Sequence, residues 1–446
     1  MSIFGYTGAF FKHIPYGFCS REVQLMIQDR RLKNLLKYAK ENSEYYNSLI
    51  DEDLNITNIK PTSKIELLKH FDEIVTDKRL KLEDIKNEIF TNPNGGSLLN
   101  GLYSATMTSG STGNPTIIVQ DKKFQNSVSV ISFIRQLGGK LPIIMLGGNN
   151  GYGVGGELIK KNKTKSAFVK KIVHAIDVTK PLDEIKKELI RIGPSVLVAY
   201  TSTLTILASK LIDEDTKIKE KIIYISGECC SESDKNIIRK AFNGTEVREI
   251  YGCTEGGSMA CECKYGHLHI AQDLVKLEPV DENNNVLPYD VMSEKALLTN
   301  LNNYVQPIIR YEISDRIALH KGCPCGCKDD WIEIEGRTND KIIFEENENE
   351  IVIPSVSTLV VMAEVNMNGL TKFKNYQMTV SKNKHILLTL DYYKGVDKEA
   401  INKEISEKLN NFFVSYGVNN VSYEFVEGIP STTTKTGKRK RIYMLA

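Results

Sequence analysis

The spacing of apolar positions changes along the chain, and the changes divide it. Between residues 20 and 50, Val23, Leu25, Met26, Leu32, Leu35 and Leu36 recur at a spacing near ~3.6 residues, which predicts a helix. Pro61-Thr-Ser-Lys-Ile-Glu reads as a helix start, and short helices are expected from 62 to 91. Asn92-Pro-Asn-Gly-Gly-Ser reads as a loop. From about 117 to 252, short apolar runs alternate with helical patterns. The strands drawn there are Ile117–Val119, Pro142–Leu146, Ala167–Ile176, Val196–Ala199, Ile222–Ser226 and Glu246–Tyr251. Such alternation predicts an α/β sheet with ligands at the strand C-terminal ends. Residues 258 to 335 become rich in strands and turns. Beyond 340, strands at 341–344, 351–353, 377–380, 386–390 and 422–426, with helices near 355–365 and 398–413, make a small α+β unit. The fold class is therefore α/β: a large multi-subdomain domain over 1–336, a junction at 337–340, and a small α+β domain over 341–446.

Composition narrows the class. The chain has 446 residues, 41% hydrophobic and 26% charged, as in an ordinary globular protein. The net charge of +2 carries no signal for nucleic acid, and no nucleic-acid partner is expected. No apolar run approaches ~18 residues, and the N-terminus lacks a basic region followed by an apolar core. No membrane association is expected, and the expected location is the cytoplasm. Nine cysteines there point to thiols or metal ligands rather than disulfides.

Several stretches carry chemistry. Thr106-Met-Thr-Ser-Gly-Ser-Thr-Gly-Asn-Pro-Thr116 alternates hydroxyls with glycines ahead of a strand. Hydroxyls donate hydrogen bonds, and glycines let backbone N–H groups approach phosphate oxygens. The lysine of a Walker loop is missing, and a polar hairpin turn is the plain alternative. Gly151-Tyr-Gly-Val-Gly-Gly156 fits a dinucleotide fingerprint, but the residues after it are too polar and short for the required helix. Tyr251-Gly-Cys-Thr-Glu255 follows a strand; Glu255 suits Mg²⁺ and Thr254 a phosphate oxygen, or the stretch is a solvated edge loop. Cys261-Glu-Cys263, His267 and His269 precede Cys323-Pro-Cys325-Gly-Cys327, a grouping compatible with a closed zinc site or with unmetallated thiols. Five thiols and two imidazoles exceed the four positions of such a site.

Five stretches in order, the glycine loop, Tyr251-Gly-Cys-Thr-Glu255, Arg310-Tyr-Glu-Ile-Ser-Asp315, Gly336-Arg-Thr-Asn-Asp340 and Thr434-Lys-Thr-Gly-Lys438, resemble the signature series of the adenylate-forming superfamily. That superfamily holds acyl-CoA ligases, amino-acid adenylation domains and luciferases. The resemblance covers roughly residues 60 to 446 and looks like the phenylacetate-CoA ligase-like branch. It implies activation of a carboxylic acid with ATP and Mg²⁺ as an acyl-adenylate, pyrophosphate release, and transfer to coenzyme A. Transfer to an amine or a carrier-protein thiol, or a nucleotide-binding homologue without turnover, are the alternatives.

Residue by residue, the resemblance implies that Thr108, Ser109, Gly110, Ser111, Thr112 and Gly113 hold the phosphates. Gly227, Glu228, Tyr251 and Gly252 border the adenine, Asp315 holds the ribose, and Arg337 meets ribose or phosphate. Thr254, Glu255 and Lys438 are implied as catalytic, with Glu255 on Mg²⁺. Asn149, Asn150, Tyr152 and Tyr200 are implied to line the acyl pocket. Asn339 and Asp340 stand at the hinge, where the family commonly has Asp or Lys two residues after the arginine. Pro430 stands eight residues before Lys438, where the family usually has a proline six before. Similar chains point to Cys263, His269, Cys323 and Cys325 as structural zinc ligands, with Cys261, His267 and Cys327 spare. The acid and the oligomeric state are not fixed by the sequence, and a homodimer stays open.

Overall fold

The structure is a computed structural model. It describes residues 3–91, 97–107, 116–147, 172–227, 230, 232–313, 315–335, 341–346, 349–354, 358, 361–362, 364–366, 372–428 and 442–445.

Nine strands form the largest sheet, in the spatial order Arg316–His320, Trp331–Glu335, Leu268–Ile270, Gly257–Glu262, Val247–Cys253, Ile222–Ser226, Val196–Ala199, Ile143–Gly147, Val173–Asp177. The five strands from 143 to 253 are mutually parallel. Counted in chain order, they lie 2-1-3-4-5 across the sheet. The side on which successive strands are added therefore reverses between Ile143–Gly147 and Val196–Ala199, and ligands of such sheets bind beyond the C-terminal strand ends at that switch. The remaining four strands are antiparallel. Parallel strands must be buried on both faces, and here Ile143, Ile144, Leu146, Val196, Leu197, Ala199 and residues 222–225 are buried, in keeping with helices on both sides.

Strands Val196–Ala199 and Ile222–Ser226 have the bounds drawn from sequence. Part of the drawn strand Ala167–Ile176 lies outside the described residues; the structure gives Val173–Asp177. The first long helix runs Arg21–Asn42, capped by the Ser20 hydroxyl. Its buried face is Leu32, Leu35, Leu36 and Ala39, while Met26 is 63% exposed. The first turns rest on polar contacts instead: Gln24 Nε2 donates to the Tyr16 carbonyl at 3.1 Å and Gln28 Nε2 to the Gln272 carbonyl at 2.9 Å. The start at residue 63 is a capping box, with the Ser63 hydroxyl and Glu66 carboxylate each bonding the other's backbone N–H. The pattern did not reveal helix Ile3–His13, nor the helix Lys122–Val130 that continues as a π-helix over Ile131–Gln136.

Two three-stranded sheets flank the site: Ser97–Leu98, Tyr103–Met107 and Ile117–Asp121, and Val275–Val280, Lys295–Asn300 and Tyr311–Ile313. After residue 340, hairpin Lys341–Glu346/Asn349–Pro354 and a four-stranded sheet pack with helix Lys398–Ser415. Among the described residues, the buried members of the hydrophobic cluster there, including Phe344, Met378, Leu388, Leu409 and Phe413, lie between 342 and 442. No helix among the described residues is long and apolar enough to cross a membrane.

Candidate functional site

The C-terminal edge of the parallel strands carries Tyr200, Gly227, Tyr251, Gly252, Thr254 and Glu255. Tyr200 follows strand Val196–Ala199 and stands at the start of helix Thr201–Asp213. Gly227 follows the next strand with φ +84°, and a Cβ there would lie 2.9 Å from Tyr200 Cε1. Glycine is thus required twice, for the backbone angle and for the ring against it. At the following strand end, a Cβ on Gly252 would lie 2.3 Å from the Gly257 carbonyl oxygen, so the two arms of the 247–262 hairpin touch.

The tip of that hairpin is held from two sides. Gln120 Nε2 donates to the Thr254 carbonyl at 3.3 Å, and Asn300 Nδ2 to the Glu255 carbonyl at 2.7 Å. Glu255 is buried, 6% exposed. Burial, then the Glu255 charge, pushes the Tyr311 phenol and the Cys253 thiol well above their ordinary ranges. A raised thiol is a poor nucleophile, in keeping with the sequence reading that no cysteine stands in a nucleophile context. Tyr251 OH donates to Asp315 Oδ2 at 2.9 Å, joining two motifs 64 residues apart. The edge thus presents an aromatic ring, the Asp315 carboxylate bonded to it, and the buried Glu255 carboxylate, an oxygen donor of the kind hard cations take.

Sequence reasoning missed the part played by Arg310. It is buried at φ +47°, and its Nη1 donates to the carbonyls of Ile59, at 2.7 Å, and Thr57, at 3.2 Å. It ties the segment before the first short helices to the strand that leads to Asp315. No local pattern reveals a bond to carbonyls some 250 residues away. Thr108–Gly113, Asn149, Asn150, Tyr152, Glu228, Arg337, Asn339, Asp340 and Lys438 lie outside the described residues.

At the antiparallel side of the sheet, Cys263, His269, Cys323 and Cys325 converge, with one ligand atom from each within 4.8 Å of the others. Cys263 Sγ is 3.8 Å from Cys323 Sγ, and Cys325 Sγ is 3.3 Å from His269 Nε2. His269 Nδ1 donates to the Asp329 carbonyl at 3.0 Å, which leaves Nε2 free as an acceptor. Burial holds its pKa below the ordinary imidazole range. Backbone N–H groups of Tyr265, Cys325 and Cys327 point at the sulfurs of Cys263, Cys323 and Cys325, at 3.4 to 3.5 Å. N–H donors of this kind favour thiolate. Three sulfurs and one imidazole with these supports fit a tetrahedral zinc ion.

The three spare residues do other things. His267 stacks on Trp331 with ring centroids 3.9 Å apart, and its Nδ1 lies 3.2 Å from Cys323 Sγ. Cys261 and Cys327 stand outside the group, and burial pushes their thiols up to about 12 and about 11.

A search of solved structures returned 2-hydroxyisobutyryl-CoA ligase in several states. With 2-HIB-AMP and CoA in its thioesterification state, it matches at a TM-score of 0.58 and 17% identity, over 96% of this chain and 91% of that one. In the postadenylation state with 2-HIB-AMP, the TM-score is 0.53 at 15% identity, over 94% and 88%. The chain has the fold of an adenylate-forming ligase. That agrees with the superfamily resemblance read from its motifs. Among curated proteins, the protein CapK of Staphylococcus aureus is 24% identical over 447 residues, covering 93% of this chain and 88% of that one. No protein-family model matches the chain.

Proposed function

We propose that the protein is an adenylate-forming ligase that activates a small or aryl carboxylic acid with ATP and passes the acyl group to coenzyme A. The observation that carries the reading is the Tyr251–Asp315 hydrogen bond. It joins Tyr251, read as the ring beside the adenine, to Asp315, read as the ribose carboxylate, at the sheet edge where ligands of this topology bind. In this reading Gly227 lets the segment at 227–228 pass beside the adenine, and the Thr254 hydroxyl donates to the phosphate. Glu255 is the carboxylate for Mg²⁺, which would neutralise phosphate charge. Thr108–Gly113 cradle the phosphates through backbone N–H groups. Tyr200, at the topological switch, borders the acyl group with Asn149, Asn150 and Tyr152.

The chemistry is positioning and charge stabilisation. The acid's carboxylate attacks the α-phosphorus, pyrophosphate leaves, and a thiolate then displaces AMP from the acyl carbon. Lys438 supplies a compact positive charge to the first step. Residues 341–446 form the mobile domain and 337–340 its hinge, a transition of known type. Cys263, His269, Cys323 and Cys325 hold a structural zinc ion, which would brace the antiparallel strands.

The test is product analysis. With ATP, Mg²⁺, coenzyme A and a panel of short and aryl acids, AMP and an acyl-CoA of the matching mass are expected. Amide formed with an added amine, with no thioester, would place the protein among amide-forming enzymes instead. Thioester formed only on a carrier protein would move the acceptor. ATP bound without AMP release under any acid would make it a binding homologue.

A further inference from the structure

The helix Lys122–Val130 and its π-helical continuation Ile131–Gln136 touch both the hairpin tip and the buried carboxylates behind the cysteine cluster, a second route beside strand Gly257–Glu262, which runs directly into Cys263. A π-helical stretch widens the turn and re-aims the residues on it. Here it turns both Arg135 and Gln136 into tertiary contacts. Arg135 forks between two buried carboxylates, with Nη1 2.6 Å from Asp273 Oδ1 and Nη2 2.9 Å from Asp329 Oδ2. Its guanidinium lies 5.0 Å from the centroid of the Tyr16 ring, and Tyr16 OH donates to the other Asp329 oxygen at 3.0 Å. The backbone carbonyl of the same Asp329 accepts the Nδ1–H of His269, one of the four clustered donors.

A second set of contacts of this helix falls on the hairpin that carries Tyr251, Thr254 and Glu255. A Cβ on Gly257 would lie 2.9 Å from Val128 Cγ2 and 3.5 Å from Phe124 Cζ, so the helix seats directly against the hairpin. Ser258 Oγ donates to Gln136 Oε1 at 2.5 Å, and Gln136 Nε2 returns a bond to the Ser258 carbonyl at 3.2 Å. Gln120, two residues ahead of the helix, holds the Thr254 carbonyl. The chain of contacts is continuous: cluster, His269, Asp329, Arg135, helix, hairpin.

We propose that Arg135 is a positioning residue that makes the order of the 251–258 hairpin depend on an occupied metal site at Cys263, His269, Cys323 and Cys325. The inference rests on the reading of that cluster as a zinc site. A metal on His269 Nε2 fixes the imidazole, the imidazole fixes the Asp329 backbone, and Arg135 passes that constraint to the helix. Lysine cannot replace it, because one ammonium does not fork across two carboxylates.

Amide hydrogen exchange on the full chain tests this, zinc-loaded and after chelation. In the wild type, chelation should speed exchange of amides in 251–258 by about tenfold or more, a local loss of stability. In Arg135→Met those amides should already exchange fast and gain less than about threefold on chelation, because the connection is cut. Should Arg135→Met fail to fold, Arg135→Lys should show the same reduced response. The helix 182–192 is the internal control and should not respond in any form. Protection of 251–258 that ignores chelation, or that responds equally with and without Arg135, would overturn the proposal. A wild-type chain that takes up no Zn²⁺ would overturn it together with the zinc reading. The measurement uses neither ATP nor acid, so failure of the ligase reading would leave its outcome intact.

Discussion

Glu220 is buried at the end of the parallel sheet opposite the candidate site. Its Oε2 accepts the N–H and hydroxyl of Ser195, at 2.6 and 2.7 Å, and its Oε1 has no partner among the described residues. Burial pushes its carboxyl up to about 7, against the Ser195 bonds. The folded protein thus holds this proton more tightly than the unfolded chain does. Its contribution to stability is present below the unfolded carboxyl pKa of 4.5 and is lost as pH rises through about 7. Glu220→Gln should match the wild type near about pH 4 and exceed it by about 1–2 kcal/mol near about pH 8. Urea unfolding at the two pH values checks this, and a variant no more stable at the higher pH would contradict it. Lys438 gives a second residue-scale prediction. Lys438→Ala should slow adenylate formation by about 10²–10³ and largely spare thioester formation from pre-formed acyl-adenylate. Lys435→Ala and Lys440→Ala change the same tail charge and should cost far less; equal losses would mean a general basic tail. The sequence marked Tyr251, Glu255 and Asp315 as candidates because their motifs are local and ordered, and the structure brings Tyr251 and Asp315 into contact. The sequence hid Arg310 and Arg135, because the partners that give them meaning are distant in the chain and ordinary in type.

At the scale of elements, the cysteine-bearing turns are the most specific local structure. Zinc-loaded protein should carry about one Zn per chain, and Cys325→Ser should lose it and destabilise the large domain. Trp331 is the chain's single tryptophan, and it lies between His267, at 3.9 Å, and His320, at 4.1 Å between ring centroids. Its emission should therefore change on chelation in the wild type and not in Cys325→Ser. Full metal content in Cys325→Ser would remove that residue from the ligand set. Strand positions were legible where continuous apolar runs are bounded by turn residues, as in Val196–Ala199. The helix Lys122–Gln136 was not, because it buries Asn126 and Ser127 beside Phe124 and Val130, so its inner face is partly polar. Helix Ile3–His13 was missed for a related reason: Phe11, at 74% exposure, breaks the contrast between its faces.

For the whole molecule, alternation of strands and helices gave the α/β class, but not the 2-1-3-4-5 order that locates the switch point. Strand order is set by long-range pairing, which a periodicity does not encode. The α+β pattern beyond residue 340 was legible because its own apolar residues suffice for a core, as the cluster over 342–442 illustrates. The central claim is that this fold activates a carboxylate with ATP. Exchange of labelled pyrophosphate into ATP, dependent on an added carboxylic acid and on Mg²⁺, measures that step directly, before any acceptor is involved. The account predicts exchange with at least one small or aryl acid, reduced by about 10²–10³ in Lys438→Ala. Protein that binds ATP yet shows no acid-dependent exchange across the panel would contradict it.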